Sequence, residues 1–585
     1  MVTMNNLNTL WAELIIGELI RCGARHFFIS PGSRSTPLTA AAAKNEKAKK
    51  IIVFDERSSG YMGVGYGQAR NEPAVIITTS GTAVANLFAS VVEASLSNIA
   101  LIILSADRPF ESQCVGENQT IDQIDIFAKY AKFFYNMPCP DYNISPEVPL
   151  STISYAYDMC TSDPKGISHI NCMFRKPLEP DDEGIRSSYL DQVKERSFLT
   201  KKYTFYFKAA KQADAASLEM VSDIINSKKK VLFSIGKLDN SADKGPLLDL
   251  IRHASLPVYA DISSGLRLGS IGTNIIKHFD NELLSEDFLK RYLPDALIHF
   301  GGRLTSKRFG LFFKKYKLNE HIAIDSSQSR YDPVFSVTHR IDSDIGLFSK
   351  ELLKKIRRTA NKEFNDLYLK SARIAQDVIE KSIAEDSVVS EPFLSRAISR
   401  TMPKDNCLFL SNSMPVRDME LYASDDGNCP EIGLNRGASG IDGILSSSIG
   451  FALASAKQTT LLVGDIAFIH DINALSVIKK MEIPLIIVLV NNNGGGIFHF
   501  LPICRHDDIF EDYFATPHGF DFELATKNFK LDYFRAESKE GFLKYYRDCL
   551  ISKRPSVIEV LTEREHNLQL RREIKRKIIE DLRSL

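Results

Sequence analysis

Short apolar runs rich in β-branched residues recur along this chain, each followed by a longer stretch with helical periodicity. That alternation is the mark of parallel sheets covered by helices on both faces. In the first 180 residues the runs are "HFFIS" (26–30), "IIVFD" (51–55), "AVIITTS" (74–80) and "ALIILSA" (100–106), separated by segments such as "NTLWAELIIGELIRCG" and "SGYMGVGYGQAR". The same grammar returns from about residue 385 with "CLFLSNS", "TTLLVGD", "PLIIVLVNNN" and "SVIEVLT". A middle section has its own runs, "KKVLFSIG", "LPVYADIS", "ALIHFGG" and "HIAIDSS". Charged, poorly patterned stretches at 181–212 and 352–385 read as linkers or connecting helices. At 585 residues the chain exceeds one hydrophobic core, and at about 150 residues per domain three or four domains are expected. The pattern predicts three consecutive α/β domains, each a mostly parallel sheet flanked by helices, over 1–185, 205–355 and 385–585.

Charge and cysteine content narrow the function. Lys plus Arg equals Asp plus Glu at 73 each, so no global field draws the chain to nucleic acid or anionic membrane. Nine cysteines are scattered without a Cys-x-x-Cys pair, which argues against a disulfide framework or zinc knuckle and fits a reducing cytosol. The start, "MVTMNNLNTLWAELI", lacks the basic and apolar segments of a secretory leader,. The longest apolar runs fall far short of the roughly 20 residues that span a bilayer. A cytoplasmic protein is expected.

In open parallel sheets, ligands sit beyond the carboxyl ends of the strands. The loops there carry "SPGSRS", "DERSSG", "SGTAVAN" and "DRP" in the first domain, and "NSMPVRD", "GDIA" and "NNNGGG" in the third. Asn492 follows Asp465 by 27 positions, across one helix and one strand. In a βαβ unit that spacing sets both on neighbouring strand ends. A carboxylate, an amide oxygen and a glycine carbonyl make a hard oxygen site suited to Mg²⁺. Taken singly, Asp465 suits a helix N-cap and the Asn-Gly run a plain turn. Glu56 ends an apolar run and opens a glycine- and tyrosine-containing helix. A carboxylate there is expected to be largely dry and in need of a partner, or else to be a first-turn glutamate facing a helix dipole.

Together the Asp465/Asn492 pair and Glu56 resemble the cofactor-binding residues of thiamine-diphosphate-dependent enzymes. Their diphosphate motif begins Gly-Asp-Gly and ends in paired asparagines; here Gly464-Asp465 is followed by Ile466 instead of glycine. The resemblance implies that Asp465, Asn492 and the carbonyl of Gly494 bind Mg²⁺, or Mn²⁺, with the diphosphate. It implies also that Glu56 meets N1′ of the aminopyrimidine and promotes formation of the reactive ylid.

Within these enzymes the chain is similar end to end to the 2-succinyl-5-enolpyruvyl-6-hydroxy-3-cyclohexene-1-carboxylate synthases of menaquinone biosynthesis. The motifs that carry this are "SPGSRSTPL", "FDERSSGYMGVGYG", "TTSGTAVAN", "LSADRP", "GENQTIDQ", "FGGRLTSKR", "SNSMPVRD", "NRGASGIDG" and "NNNGGGIFHFLP". That family is a transferase (carboligase) which decarboxylates 2-oxoglutarate and adds the succinyl-semialdehyde carbanion 1,4 to isochorismate. Both substrates are dicarboxylates, and arginine forks suit carboxylates. By the resemblance, Ser413, Arg417 and Arg436 hold 2-oxoglutarate, while Ser33, Arg34, Arg108, Gln119 and Lys307 hold isochorismate. Ile441 props the cofactor, and Ile497 with Phe498 lines an apolar wall; all three suit ordinary core packing equally well. The resemblance further implies a homodimer or homotetramer whose active site is shared between chains, with Glu56 acting in trans. Two rival readings are another thiamine-diphosphate 2-oxo acid carboligase or decarboxylase, of the acetohydroxyacid-synthase kind, and a non-catalytic protein that keeps the fold. Small neutral 2-oxo acids would not need the arginine set, and loss of Glu56 or Asp465 would have favoured the second.

Overall fold

The computed structural model describes residues 6–181, 184–194, 200–269, 274–327, 329–357, 361–428 and 430–585. The first sheet is built from β1 (His26–Ile29), β2 (Lys49–Ile52), β3 (Ala74–Thr78), β4 (Leu101–Asp107), β5 (Ala131–Met137) and β6 (Ile167–Met173), in the order β2-β1-β3-β4-β6-β5. The second contains β7 (Val231–Ile235), β8 (Val258–Ala260), β9 (Ile275–Ile276), β10 (Ala296–Phe300), β11 (Glu320–Asp325) and β12 (His339–Asp342), in the order β12-β11-β10-β7-β8-β9. The third holds β13 (Cys407–Leu410), β14 (Glu431–Leu434), β15 (Thr459–Gly464), β16 (Leu485–Asn491), β17 (Asp532–Ala536) and β18 (Ser556–Leu561), in the order β14-β13-β15-β16-β18-β17. Neighbouring strands pair in parallel throughout.

The first and third sheets thus share one strand order, in which the winding reverses between their first and third strands. The middle sheet follows the dinucleotide-fold order and reverses between β7 and β10. There the two strand-end loops lace together: the Gly236 amide donates to Phe300 O at 2.9 Å and the Gly302 amide to Lys237 O at 2.9 Å. A Cβ on Gly236 would lie 2.1 Å from Gly302 O. The chain's own backbone thus joins the two loops at the middle switch point; Lys307 follows β10 of this sheet, and the other candidate site residues follow strands of the first and third.

Helices used below are α1 (Leu7–Cys22), α2 (Glu56–Arg70), α3 (Lys307–Lys315), α4 (Glu391–Thr401), α5 (Met414–Tyr422), α6 (Ile444–Ser455) and α7 (Arg564–Leu582). Each sheet is covered on both faces, which explains why its strands read as unbroken apolar runs. Trp11, Ile15 and Leu19 of α1 pack with Phe27, Val75, Ile77, Ile102 and Leu104. At about 1.5–3 kcal/mol per fully buried large apolar side chain, such layers dominate the stabilisation. The stretches expected as linkers contain the helices Ser187–Lys194 and Lys362–Glu385; their residues 182–183, 195–199 and 358–360 lie outside the described set, as do residues 1–5 of the leader argument. One strand is shorter than its apolar run implied: β2 stops at Ile52, and Phe54 is 73% exposed. Asp55 leaves the strand because its carboxylate caps α2, accepting from the Arg57 amide at 2.9 Å and the Ser58 amide at 3.4 Å,.

The chain divides into two compact units. One comprises 1–208, 435–456 and 469–483, and the other 209–434, 457–468 and 484–585. In the first, α2 and α6 come into backbone contact. A Cβ on Gly65 would lie 1.8 Å from Ser447 O, and one on Gly450 1.9 Å from Met62 O. Of the glycines in "SGYMGVGYG", Gly65 serves this approach, while Gly60, Gly63 and Gly67 make room for Ser90, Leu101 with Ile76, and Ile99.

Candidate active site

The carboxyl ends of β15 and β16 set the metal-type residues side by side. These strands are neighbours, in register from Thr459↔Leu485 to Gly464↔Val490. Asp465 Oδ2 accepts from the Asn492 amide at 3.2 Å and the Gly494 amide at 2.9 Å, while Oδ1 accepts from the Ile466 amide at 2.7 Å. His518 Nε2 stands 3.2 Å from the same carboxylate. Burial pushes Asp465 above the ordinary carboxylate range, with the Gly494 and Ile466 amides and His518 acting in opposition.

Asn492 carries the most informative atom of the chain. Its Nδ2 donates to Glu391 Oε1 at 2.9 Å, which turns Oδ1 the other way. That oxygen is buried and has no hydrogen-bond partner among the described residues. Leaving a buried acceptor unsatisfied costs about 1–3 kcal/mol, so this arrangement suits an amide oxygen that receives a ligand. Glu391, at the start of α4, is held in turn by Arg571 of α7 at 2.5 Å, and Arg571 also grips Asp418 of α5 at 2.6 Å. At Gly464 an added Cβ would meet nothing within 4 Å. Open space beside Gly464, a buried carboxylate and an orphaned amide oxygen fit a hard divalent cation with a diphosphate. The Gly494 carbonyl, expected as a third ligand, accepts from the Gly496 amide at 2.9 Å and keeps a second lone pair.

Packing, beyond a plain turn, requires the glycine run. A Cβ on Gly494, whose φ is +133°, would lie 2.1 Å from Ala515 O, and one on Gly495 2.6 Å from Phe514 O. The 511–516 turn packs directly on this backbone, so the chain itself excludes side chains there. Ile497 and Phe498 follow in a half-buried 3-10 turn, Phe498 edge-on to Phe514 at 5.7 Å.

β13 is the neighbour of β15, and its end leads into Ser413. Ser413 has φ 67° and ψ −127°, a backbone conformation costly for a residue with a Cβ and concentrated at functional sites. Arg417, one turn into α5, donates to the Ser413 carbonyl. Lys307 lies exposed at the first position of α3, which Ser306 caps through the Phe309 amide at 3.1 Å.

The other unit brings Arg34 and Arg108 together. Arg34 Nη1 donates to the Phe174 carbonyl at 2.9 Å. Arg108 Nη1 donates to Ser80 Oγ at 2.6 Å and to the Gln119 carbonyl at 3.1 Å. Gln119 returns a bond from Nε2 to Ser80 O at 3.1 Å, while Ser33 is exposed beside Arg34. Buried Gln123 pins the loop, its Oε1 accepting from the Gly81 amide at 2.9 Å. Of the two readings of Glu56, the structure shows the first-turn glutamate of α2. Instead of being dry it is half-buried, accepting from Asn86 Nδ2 at 3.3 Å, because the first position of α2 lies at the rim where the chain enters the helix. Arg436 and Ile441, both half-buried, belong to this unit, and Tyr61 of α2 donates to Asp442 beside them.

Sequence reasoning passed over Glu391, Arg571, Asp418 and His518. The first three have no local signature, since each reaches the site from a different helix. His518 stands in "TPHGFDF", whose Pro-His-Gly turn was the available signal.

Three family models match the chain: "Thiamine pyrophosphate enzyme, N-terminal TPP binding domain" over residues 11–126, "Middle domain of thiamine pyrophosphate" over 187–410, and "Thiamine pyrophosphate enzyme, C-terminal TPP binding domain" over 435–560. Proteins named 2-succinyl-5-enolpyruvyl-6-hydroxy-3-cyclohexene-1-carboxylate synthase are similar over nearly the whole length. That of Prosthecochloris aestuarii is 39% identical over 98% of this chain and 98% of its own. The protein from Chlorobium limicola is also 39% identical, over 98% of both chains. The one from Chlorobaculum tepidum is 36% identical, over 98% of this chain and 97% of its own.

Proposed function

The chain belongs to the 2-succinyl-5-enolpyruvyl-6-hydroxy-3-cyclohexene-1-carboxylate synthase family of thiamine-diphosphate enzymes, and from that we propose that it joins 2-oxoglutarate to isochorismate with loss of CO₂. The observation that carries the cofactor half of this reading is the orphaned Asn492 amide oxygen beside Asp465. Asp465, Asn492 and the Gly494 carbonyl would hold Mg²⁺, or Mn²⁺, with Gly464, Ser413, Ile441 and Ile497 around the cofactor. When bound, thiamine diphosphate supplies the carbanion-stabilising chemistry that both halves of the reaction need. Glu56 would act on its aminopyrimidine end by holding and releasing a proton at the carboxylate.

The residues divide the two substrates between them. Arg417, Arg436 and Ser413 would take the 2-oxoglutarate carboxylates, and Arg34, Arg108, Ser33, Gln119 and Lys307 those of isochorismate. Ile497 and Phe498 would offer both an apolar wall that excludes water from the reacting carbon. We place the domain borders at 1–185, 205–355 and 385–585. The working form would be a cytoplasmic homodimer or homotetramer with the site shared between chains. That last point rests on the resemblance to thiamine-diphosphate enzymes. Among the described residues no helix is long and apolar enough to cross a membrane.

The half-reactions test the partition. Losing a charge-assisted carboxylate contact costs about 1.5–3 kcal/mol, or roughly 10- to 150-fold. Arg417→Ala and Arg436→Ala should weaken 2-oxoglutarate-dependent CO₂ release by that factor. Arg34→Ala and Arg108→Ala should leave that step nearly intact and impair transfer to isochorismate. Equal failure of all four at the first step, with fold and cofactor binding intact, would contradict the assignment.

A further inference from the structure

Arg34 and Arg108 are each fixed by neutral groups: Arg34 by the Phe174 carbonyl, Arg108 by Ser80 Oγ and the Gln119 carbonyl. Their remaining edges converge on a single atom. Glu117 Oε1 lies 3.3 Å from Arg108 Nε and 3.9 Å from Arg34 Nη2. Both arginines are buried, whereas the Glu117 side chain is 38% exposed. Burial and the neighbouring Arg108 charge hold Arg34 below its ordinary range, so the pair repels itself wherever no anion stands between. Residues Cys114–Gln119 are all exposed, and Gly116, at φ +77°, has nothing within 4 Å of an added Cβ. The Cys114–Asn118 part of this apex can withdraw without uncovering core, while Gln119, bonded to Arg108 and Ser80, and Gln123, bonded to the Gly81 amide, keep its base anchored.

We propose that Glu117 is a built-in placeholder: its carboxylate occupies the Arg34/Arg108 fork in the substrate-free chain and is displaced by a carboxylate of the second, dicarboxylate substrate. The placeholder offsets the repulsion of two buried cations between turnovers. It also sets a threshold, because a ligand must present its own carboxylate to take the fork. This rests on the reading that the two arginines receive isochorismate.

The sign of one substitution decides between a competitor and a support. In Glu117→Ala the fork is vacant and in Glu117→Gln it meets only a neutral amide oxygen, so isochorismate should bind about two- to fivefold more tightly, the range for a partly exposed ion pair. Binding is read by calorimetry on the holoenzyme without 2-oxoglutarate. Unfolding midpoints with and without isochorismate complete the test: the variants should be less stable than wild type when free and equal to it when saturated. Unchanged or weaker binding in both variants, with Arg108→Ala impaired, overturns the placeholder alone. Wild-type binding by Arg108→Ala overturns the substrate assignment, and the placeholder with it.

Discussion

Replacing Glu391 by alanine removes the group that orients Asn492, and the structure sets the size of the effect. The Asn492 Nδ2 to Glu391 Oε1 bond, 2.9 Å long, is charge-assisted, and such bonds contribute about 1.5–3 kcal/mol. Without it the amide turns freely and presents nitrogen as readily as oxygen to the cation. Loss of an outer partner of this kind typically lowers metal affinity about 10- to 100-fold. The fold should survive, because Arg571 keeps its pairing with Asp418 at 3.1 and 2.6 Å and is not left as an uncompensated buried charge. The assay is thiamine diphosphate binding titrated with free Mg²⁺ on chelator-treated protein, with thermal unfolding as the fold control. Glu391→Gln, which keeps an acceptor oxygen but not the charge, should fall between wild type and alanine. A Glu391→Ala protein that folds normally and half-saturates at the wild-type Mg²⁺ concentration would refute the reasoning.

Other residues give further tests. Glu56→Gln should bind cofactor yet exchange its C2 proton about 10²- to 10⁴-fold more slowly, by proton NMR; an unchanged rate would remove Glu56 from that role. Mixing inactive Glu56→Gln and Asp465→Ala chains should restore activity if sites are shared between chains, since one hybrid site then carries both native residues; no recovery after subunit exchange would favour sites within one chain. Burial raises the Glu282 carboxyl to about 8, against the opposing hydrogen bonds from Ser371 and Tyr259. Its folded pKa lies above the unfolded one, so its contribution is fully present at low pH and is lost as pH rises from about 4.3 to about 8. Glu282→Gln should therefore gain in melting temperature relative to wild type across that window; parallel curves would contradict the shift.

The legible parts of the fold were those encoded locally. Apolar runs covered on both faces announced parallel strands, and the 27-residue interval from Asp465 to Asn492 announced neighbouring strand ends, which β15 and β16 supply. Strand order was not legible, because the same alternation serves the 2-1-3-4-6-5 order of the outer sheets and the different order of the middle one. At Glu56 the sequence left a dry carboxylate and a first-turn glutamate both open, since a strand's apolar run does not reveal where a capping residue such as Asp55 turns the chain outward. The packing that requires the glycines after Asn492 was not legible, because the 511–516 turn that excludes their side chains lies too far along the chain to be seen. Glu391 shows the same limit: it stands 101 residues from Asn492, and only the folded chain joins them.

The central claim is that this chain joins a decarboxylated 2-oxoglutarate to isochorismate. Purified protein supplied with thiamine diphosphate, Mg²⁺, 2-oxoglutarate and isochorismate should release CO₂ and form 2-succinyl-5-enolpyruvyl-6-hydroxy-3-cyclohexene-1-carboxylate in equal amounts, measured by coupled CO₂ detection and mass spectrometry. Omission of either substrate should abolish the product. CO₂ release without that product in the presence of isochorismate, or carboligation with small neutral 2-oxo acids in its place, would contradict the account.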